Sequence, residues 1–224
     1  MASKRQTIRQ FSHAILDAET TPATLQRVVE HGFEQIAEAQ AASRAPLACA
    51  AGCAFCCYHP VDITAPEAFV IAAHLRTAFS KADAELEAVT ARLAVNAERI
   101  QALSHDDHAL AKIPCALLDN GQCRVYAARP FACRAWHSMS AARCEAIFTH
   151  GDPLSMLPPL DMDLYSAQWD VVYGIAEGLR QAGLDDRPYE LHSMLHRVLA
   201  MPDAAPRWVQ GEDVFAGCTP GAFF

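Results

Sequence analysis

Hydrophobic residues recur at helical spacing over most of this chain. The first clear stripe follows Thr21-Pro22, a pair typical of a helix start, and continues to about Ala42. Its apolar members are Leu25, Val28, Val29, Phe33 and Ile36. The pattern predicts an amphipathic helix in the first fifth of the chain.

Two further helices are predicted in the middle of the chain. Thr64-Ala65-Pro66-Glu67 has the spacing of a capping box and predicts a helix to about Phe79. The next helix begins within residues 80–83 and extends to about Leu103 through strong helix formers. Because the connection between them is short, we expect an antiparallel helical hairpin. The polar segment Ser104–His108, in which two histidines flank two aspartates, then predicts a solvated loop.

A β-hairpin is predicted at Asn120-Gly121, which lies between short apolar runs. A two-residue loop would pair Leu118 with Cys123 and turn Cys115 to the opposite face. A three-residue loop over residues 119–121 would place Cys115 and Cys123 on one face. We favour the three-residue loop, with Gly121 left-handed.

The last third of the chain predicts two more helices, near Leu164–Gln181 and Pro188–Met201, with Gly183 ending the first. Residues 202–224 are expected to be an irregular tail. The clearest joint is the proline-rich stretch Gly151–Pro159. We therefore expect a mainly α fold, with a helical cysteine-cluster domain at residues 1–150 and a helical extension at residues 151–224 packed on it.

Composition limits the functional classes. The 224 residues are 52% hydrophobic, enough for a substantial core, and 18 basic against 26 acidic residues give a net charge of −8. This balance disfavours nucleic acid as the main partner. Neither a secretory signal nor a run of about 18 apolar residues is visible, so we expect a soluble cytoplasmic protein without membrane attachment.

Nine cysteines change this picture, because seven of them lie in two short blocks. The first block extends from Cys49 to Cys57 and the second from Cys115 to Cys133. In a reducing compartment, clustered thiols bind metal or carry redox chemistry more often than they form disulfides. Soft thiolates favour zinc or iron–sulfur clusters. We therefore predict an iron–sulfur cluster or Zn²⁺ at Cys49, Cys53, Cys56, Cys57, Cys115, Cys123 and Cys133.

The geometry of these ligands follows partly from spacing. Thiolates three and four residues apart converge where the backbone coils, and Gly52 eases such a turn. Pro130 at a helix start would place Cys133 in the first turn, where backbone amides favour a thiolate. Adjacent Cys56 and Cys57 would point apart in an extended segment. Seven thiols exceed the need of one tetrahedral zinc, so one cluster with spare thiols and two metal centres both stay open.

Other candidates carry weaker signals. Cys144 is an eighth ligand or a core residue, and Cys218 is a separate thiol. His59 and His137 are possible ligands or donors to ligands, whereas the helical pair His192 and His196 favours an ordinary structural role. Three arginines near the second block either offset thiolate charge or pair with carboxylates: Arg124, Arg129 and Arg134.

The order of these motifs resembles the CxxCxxCC cysteine-cluster family, also called YkgJ-type. The matching motifs are Cys49-x3-Cys53-x2-Cys56-Cys57, Val61-Asp-Ile-Thr64-x2-Glu67, Pro114-Cys115 and Cys123-Arg-Val-Tyr126-x2-Arg129-Pro130-x2-Cys133-Arg134. The resemblance implies a zinc- or iron-chelating domain over roughly residues 49–134. Flagellin lysine N-methylases are similar in carrying a related cysteine domain.

Two other functional classes stay open. The loop from Cys49 to Cys56, with Phe55 before its last cysteine, also resembles the cluster loop of radical S-adenosylmethionine enzymes, although the helical context disfavours their barrel. In this first class, we would expect an iron–sulfur enzyme related either to the radical S-adenosylmethionine enzymes or to the methylases. In the other class, a zinc-stapled module uses its helices to bind a protein partner.

Overall fold

The computed structural model describes residues 3–151 and 156–222, and within these ranges the fold is mainly α-helical, as the sequence predicts. The helices are α1 (Lys4–Ala18), α2 (Pro22–Ala42), α3 (Ala65–Ala78), α4 (Asp83–Gln101), α5 (His105–Ala111), α6 (Phe131–Ala135), α7 (Ala141–His150), α8 (Met162–Gln181), α9 (Leu191–Ala200) and α10 (Ala204–Val209). None of the helices in the described ranges is both long and apolar enough to cross a membrane.

Hydrogen bonds between residues close in sequence define the ends of several predicted helices. The Thr21 hydroxyl accepts from the Thr24 N–H at the start of α2, and Thr64 with Glu67 forms a reciprocal capping box on α3. After α8, Gly183 has φ +73° and its N–H donates to the carbonyl of Arg180. This is the left-handed helix end that glycine favours.

Four two-residue strands form two antiparallel pairs. The strands are β1 (Asp62–Ile63), β2 (Leu118–Asp119), β3 (Gln122–Cys123) and β4 (Tyr189–Glu190). Strands β2 and β3 form the predicted hairpin, whereas β1 pairs with β4 across a long stretch of sequence.

The hairpin register corrects the sequence-based expectation. Leu118 lies opposite Cys123, so the loop contains only Asn120 and Gly121, and the predicted three-residue loop is wrong. Asn120 has φ +48° and Gly121 has φ +75°. Two residues with positive φ form a turn whose twist matches that of the flanking strands, and Asn-Gly is the pair that tolerates it best.

The first helix was not evident from the pattern, yet it makes the most extensive helix–helix contact of the fold, with α8. Its buried face is narrow: Ile8, Ser12 and Leu16. Two glycines of α8, Gly174 and Gly178, lie against it. A Cβ at Gly178 would stand 2.5 Å from the Ser12 Cβ, so glycine is needed for this close approach.

Helices α3 and α4 do not form the expected hairpin. Helix α4 packs instead mainly against α9, and α3 packs against both α9 and α2. The cause is the broad apolar face of α9, which includes fully buried Met194 and Leu195. A buried helix from the distant C-terminus thus replaces the direct contact that sequence proximity suggests.

Two segments expected to be irregular are ordered parts of the fold. Ser104 caps α5 by accepting from the Asp107 N–H, and His108 is buried rather than solvated. Residues 202–222 contain α10 and bury Trp208 and Phe215. The division into residues 1–150 and 151–224 stays a prediction, since residues 152–155 of the proposed joint lie outside the described ranges.

Candidate metal centre

The first cysteine segment is held in place by backbone contacts to residue 138. The Ala48 N–H donates to the Ser138 carbonyl at 2.8 Å, and the Ser138 N–H donates to the Cys49 Sγ at 3.2 Å. Gly52, with φ +92°, makes the expected turn before Cys53. The segment therefore presents its thiols from a fixed backbone.

Cys56 and Cys57 lie in a 3-10 helix, Phe55–Tyr58, rather than in an extended segment. A hydrogen bond between the two thiols, followed by burial, raises the pKa of Cys56 far above its usual range. The extended geometry in which the two side chains would point apart therefore does not apply here.

The second block is joined to the first directly. The Cys115 N–H donates to the Cys57 carbonyl at 2.8 Å, and the Asn96 side chain holds the preceding Pro114 carbonyl at 2.8 Å. Cys123 follows on strand β3. Although the hairpin has the register expected to separate them, the pKa of Cys123 is raised by burial and by neighbouring Cys115. Cys115 precedes β2, so strand alternation does not decide its direction.

Cys133 lies in the first turn of α6, as predicted, with Pro130 one position earlier than expected, at the N-cap. The carboxylate of Glu67 reaches this turn, and its Oε1 accepts from the Phe131 N–H at 2.8 Å. Its Oε2 accepts from the Thr64 N–H and hydroxyl. Burial raises the pKa of Glu67, and these donors oppose the rise by favouring the carboxylate.

Five thiols form what we call the inner group: Cys56, Cys57, Cys115, Cys123 and Cys133. Burial raises the pKa of Cys133 far above its usual range, and Cys56, Cys115 and Cys123 each raise it further. The positive charge of Arg129 lowers the pKa of Cys133 and so opposes these effects. Such mutual effects require the thiols to be neighbours, because electrostatic interactions weaken with distance.

Cys49, Cys53 and Cys144 form an outer group. Burial raises the pKa of Cys49 most, the Ser138 N–H opposes this, and Cys56, Cys53 and Cys144 add to the rise. Cys144 on α7 therefore faces the first segment and is not simply a core residue. Cys218 lies elsewhere, with its thiol 3.7 Å from the Ser193 carbonyl. All nine cysteines are free thiols.

The three arginines differ in their roles. Arg129 lowers the pKa of Cys123 and Cys133 and thus offsets thiolate charge. Arg124 forms ion pairs with Asp119 and Glu85. Arg134 donates to backbone carbonyls and lies 3.8 Å from the centre of the Phe33 ring.

His192 is the residue that sequence reasoning missed. Its Nδ1 lies 2.5 Å from Glu190 Oε1, and its Nε2 accepts from the Ala116 N–H at 3.1 Å. Burial lowers the pKa of His192, but hydrogen bonds with Cys115 and Glu190 outweigh burial and raise it. In this structure the ring accepts the Ala116 N–H at Nε2, a bond that only the neutral ring can make. No local signal distinguishes this histidine from its neighbours.

Other histidines do not share this contact. His137 is buried, with Nδ1 3.1 Å from both the Ala135 carbonyl and Gln168 Oε1. Burial lowers the pKa of His59, whose ring lies 6.3 Å from that of Trp136. His196 lines an open cleft of about 210 Å³ between α4 and α9. A ligand role for His59 or His137 stays a prediction.

The donor set suits a thiophilic metal, but the side chains do not form a finished site. Within the described residues, no three Cys, His, Asp or Glu side chains are grouped closely enough to hold a metal ion. The chemistry nevertheless fits, because thiolates are preferred ligands of zinc and iron and a bound cation favours the ionisation of a thiol. The assignment of individual ligands stays a prediction.

Comparison with known proteins agrees with this chemistry. Residues 48–150 match the family model CxxCxxCC, described as a "putative zinc- or iron-chelating domain". The match covers just under half of the chain and includes eight of its nine cysteines. The chain therefore contains a CxxCxxCC domain, as its cysteine motifs predict. Neither a curated protein nor a solved structure matches the chain.

Proposed function

We propose that this chain is a metal-binding protein that holds an iron–sulfur cluster or zinc through the seven cysteines of its two sequence blocks. The observation that carries the proposal is the direct contact between the two cysteine blocks, in which the Cys115 N–H donates to the Cys57 carbonyl at 2.8 Å. Cys144 is the candidate for an eighth ligand, because it influences the pKa of Cys49 and Cys53.

The backbone supports this proposal independently of the thiols. Two backbone contacts involve the cysteine-bearing segments: Ala48 to Ser138 and Cys115 to Cys57. A third contact joins the Phe131 N–H, two residues before Cys133, to the Glu67 side chain. None of them uses a thiol, so metal binding need not break them.

The cysteines would supply the thiolate ligands, and a bound iron–sulfur cluster would supply electron storage. Arg129 would offset part of the negative charge that several thiolates bring. A closed zinc site would instead contribute mainly to folding free energy. Clustered thiols of this kind bind metal most often in reducing compartments, so we propose a cytoplasmic location.

The radical S-adenosylmethionine alternative receives no support from the fold. Its cluster loop follows the first strand of a parallel barrel, whereas the strands in the described ranges are two residues long and antiparallel. A methylase-related activity or a zinc-stapled interaction module has no specific observation in its favour.

The decisive experiment is anaerobic purification followed by iron, sulfide and zinc analysis with a visible spectrum. Brown protein with iron and labile sulfide identifies a cluster, and colourless protein with stoichiometric zinc identifies a zinc site. Protein with neither metal, which also fails to take up zinc or iron and sulfide on reconstitution, contradicts the proposal.

Single substitutions test the ligands. We expect Cys53→Ser and Cys123→Ser to lower metal content and thermal stability, because metal affinity contributes to folding. Cys218→Ala is the matched control, since this buried thiol lies outside both groups. Unchanged metal content in both serine variants would show that the ligands are chosen wrongly.

A further inference from the structure

The C-terminal extension reaches the cysteine domain through the pairing of β1 with β4. Asp62 lies opposite Glu190, and the Leu191 N–H donates to the Val61 carbonyl at 2.9 Å. The Glu190 N–H donates to the Thr219 carbonyl at 2.9 Å. Residues outside the matched segment 48–150 are thereby fixed beside it, and the first turn of α9 contacts Ala116.

The side chains of Glu190 and His192 are both hydrogen-bonded at this site. One Glu190 oxygen lies 2.5 Å from His192 Nδ1, and the other accepts from the Ser193 N–H at 2.9 Å. His192 Nε2 accepts at 3.1 Å from the N–H of Ala116, the residue that directly follows Cys115. Glu190 is 3% exposed and His192 is 5% exposed. Hydrogen bonds at both nitrogens therefore fix the orientation of the ring.

We propose that Glu190 and His192 are a positioning pair for the metal centre: through the Ala116 N–H they fix the backbone next to Cys115 from a part of the chain outside the cysteine domain. The inference rests on the proposed metal-binding function. Groups behind the ligands of a metal site fix the orientation of those ligands and so affect metal affinity. The Ala116 N–H lies beyond the β2–β3 ladder, and His192 holds it in place of a strand partner.

His196 provides the matched control within the same helix. It follows His192 by one turn of α9 but lines the open cleft between α4 and α9. Replacing it changes a histidine of the same helix without touching Cys115. If replacing His192 lowers metal affinity and replacing His196 does not, the effect is due to the contact that His192 makes and not to a general change in α9.

The experiment is an anaerobic titration of the metal-free full-length chain with cobalt(II), followed through the thiolate-to-cobalt charge-transfer band. We expect His192→Ala to weaken cobalt affinity about 10-fold or more and to reduce this band as Cys115→Ser does. Glu190→Gln should weaken affinity in the same direction. His192→Gln should restore part of the loss, because its amide oxygen can accept from the Ala116 N–H. His196→Gln should bind as the unchanged chain does.

A double-substitution cycle separates positioning from general bracing of the fold. If the pair acts through Cys115, adding His192→Ala to Cys115→Ser weakens cobalt binding no further. The proposal is overturned if His192→Ala lowers cobalt affinity equally in the presence and absence of the Cys115 thiol. It is also overturned if the His192→Ala variant has unchanged cobalt affinity and an unchanged charge-transfer band. If His192→Ala does not fold by circular dichroism, His192→Gln and Glu190→Gln decide by the same band. Failure of the unchanged chain to bind cobalt would instead contradict the metal-binding function itself.

Discussion

The backbone N–H of Phe131 donates to Oε1 of Glu67 at 2.8 Å, although the two residues are 64 positions apart. The other oxygen of this buried carboxylate accepts from Thr64. One side chain therefore serves the first turns of both α3 and α6. Because Cys133 lies in that turn of α6, the capping of one helix also fixes the place of a predicted metal ligand.

Glu67→Gln should lower the free energy of unfolding of the metal-free chain by about 1–3 kcal/mol. A glutamine offers one oxygen where the carboxylate offers two, so an NH₂ group must face a backbone or hydroxyl donor. Urea denaturation measures the change. The control is Glu87→Gln, at an exposed position on α4, which should stay within about 0.5 kcal/mol of the unchanged chain. Equal stability of the two variants would contradict the double cap.

Gly178→Ala should destabilise the contact between α1 and α8 by about 1–3 kcal/mol. The added Cβ would lie 2.5 Å from the Ser12 Cβ and 3.2 Å from the Arg9 carbonyl oxygen. This overlap outweighs the gain of about 1 kcal/mol in helix propensity. Thermal unfolding is the measurement, with Ser166→Ala on the exposed side of α8 as control. A more stable Gly178→Ala variant would show that the helices can separate without cost.

Gly121→Ala should cost about 1–2 kcal/mol through the backbone alone, since no atom lies within 4 Å of the added Cβ and φ is +75°. Asn120→Gly is the companion variant, because glycine accepts the φ of +48° at that position. We expect it to change stability by only a few tenths of a kcal/mol in chemical denaturation. Similar losses in both variants would argue against the two-residue turn.

Glu177 should make stability depend on acid pH. A hydrogen bond from Arg5 lowers the pKa of this carboxyl, and Arg5 Nε lies 3.0 Å from Oε1. A lowered folded-state pKa gives stability that is present above the unfolded value of about 4.3 and is lost as the pH falls through the folded value. Both side chains are partly exposed, so the gain at pH 7 is at most about 1 kcal/mol.

The measurement compares the thermal stability of the unchanged chain and Glu177→Gln at about pH 7 and well below the glutamate range of about pH 4.3. The difference should be present at neutral pH, smaller in high salt, and absent in acid. A difference that persists unchanged in acid would assign it to packing and not to the ion pair.

Local sequence signals predict the elements whose causes lie within a few residues. Thr21 and Thr64 begin α2 and α3 through bonds to residues three positions away. Asn120-Gly121 marks the hairpin for the same reason. The thiol chemistry is also local information, since the residue type alone determines which metals it prefers.

Long-range contacts decide what the pattern does not contain. The hairpin register was misjudged because both loop lengths satisfy the same Asn-Gly signal. The narrow apolar face of α1 is buried because Gly178 allows α8 to approach closely. Cys144 lies near the outer group because α7 packs against the first cysteine segment.

The sequence by itself therefore determined a mainly helical chain with two blocks of metal-binding thiols. The tertiary structure decided how those thiols are arranged and which other residues contact them. His192 shows the reason most directly, because it contacts Ala116 across 76 positions and has no distinguishing neighbour in sequence. Burial and hydrogen bonding between distant segments are properties of the folded chain, so they are not visible in the periodicity, caps or spacing of any one segment.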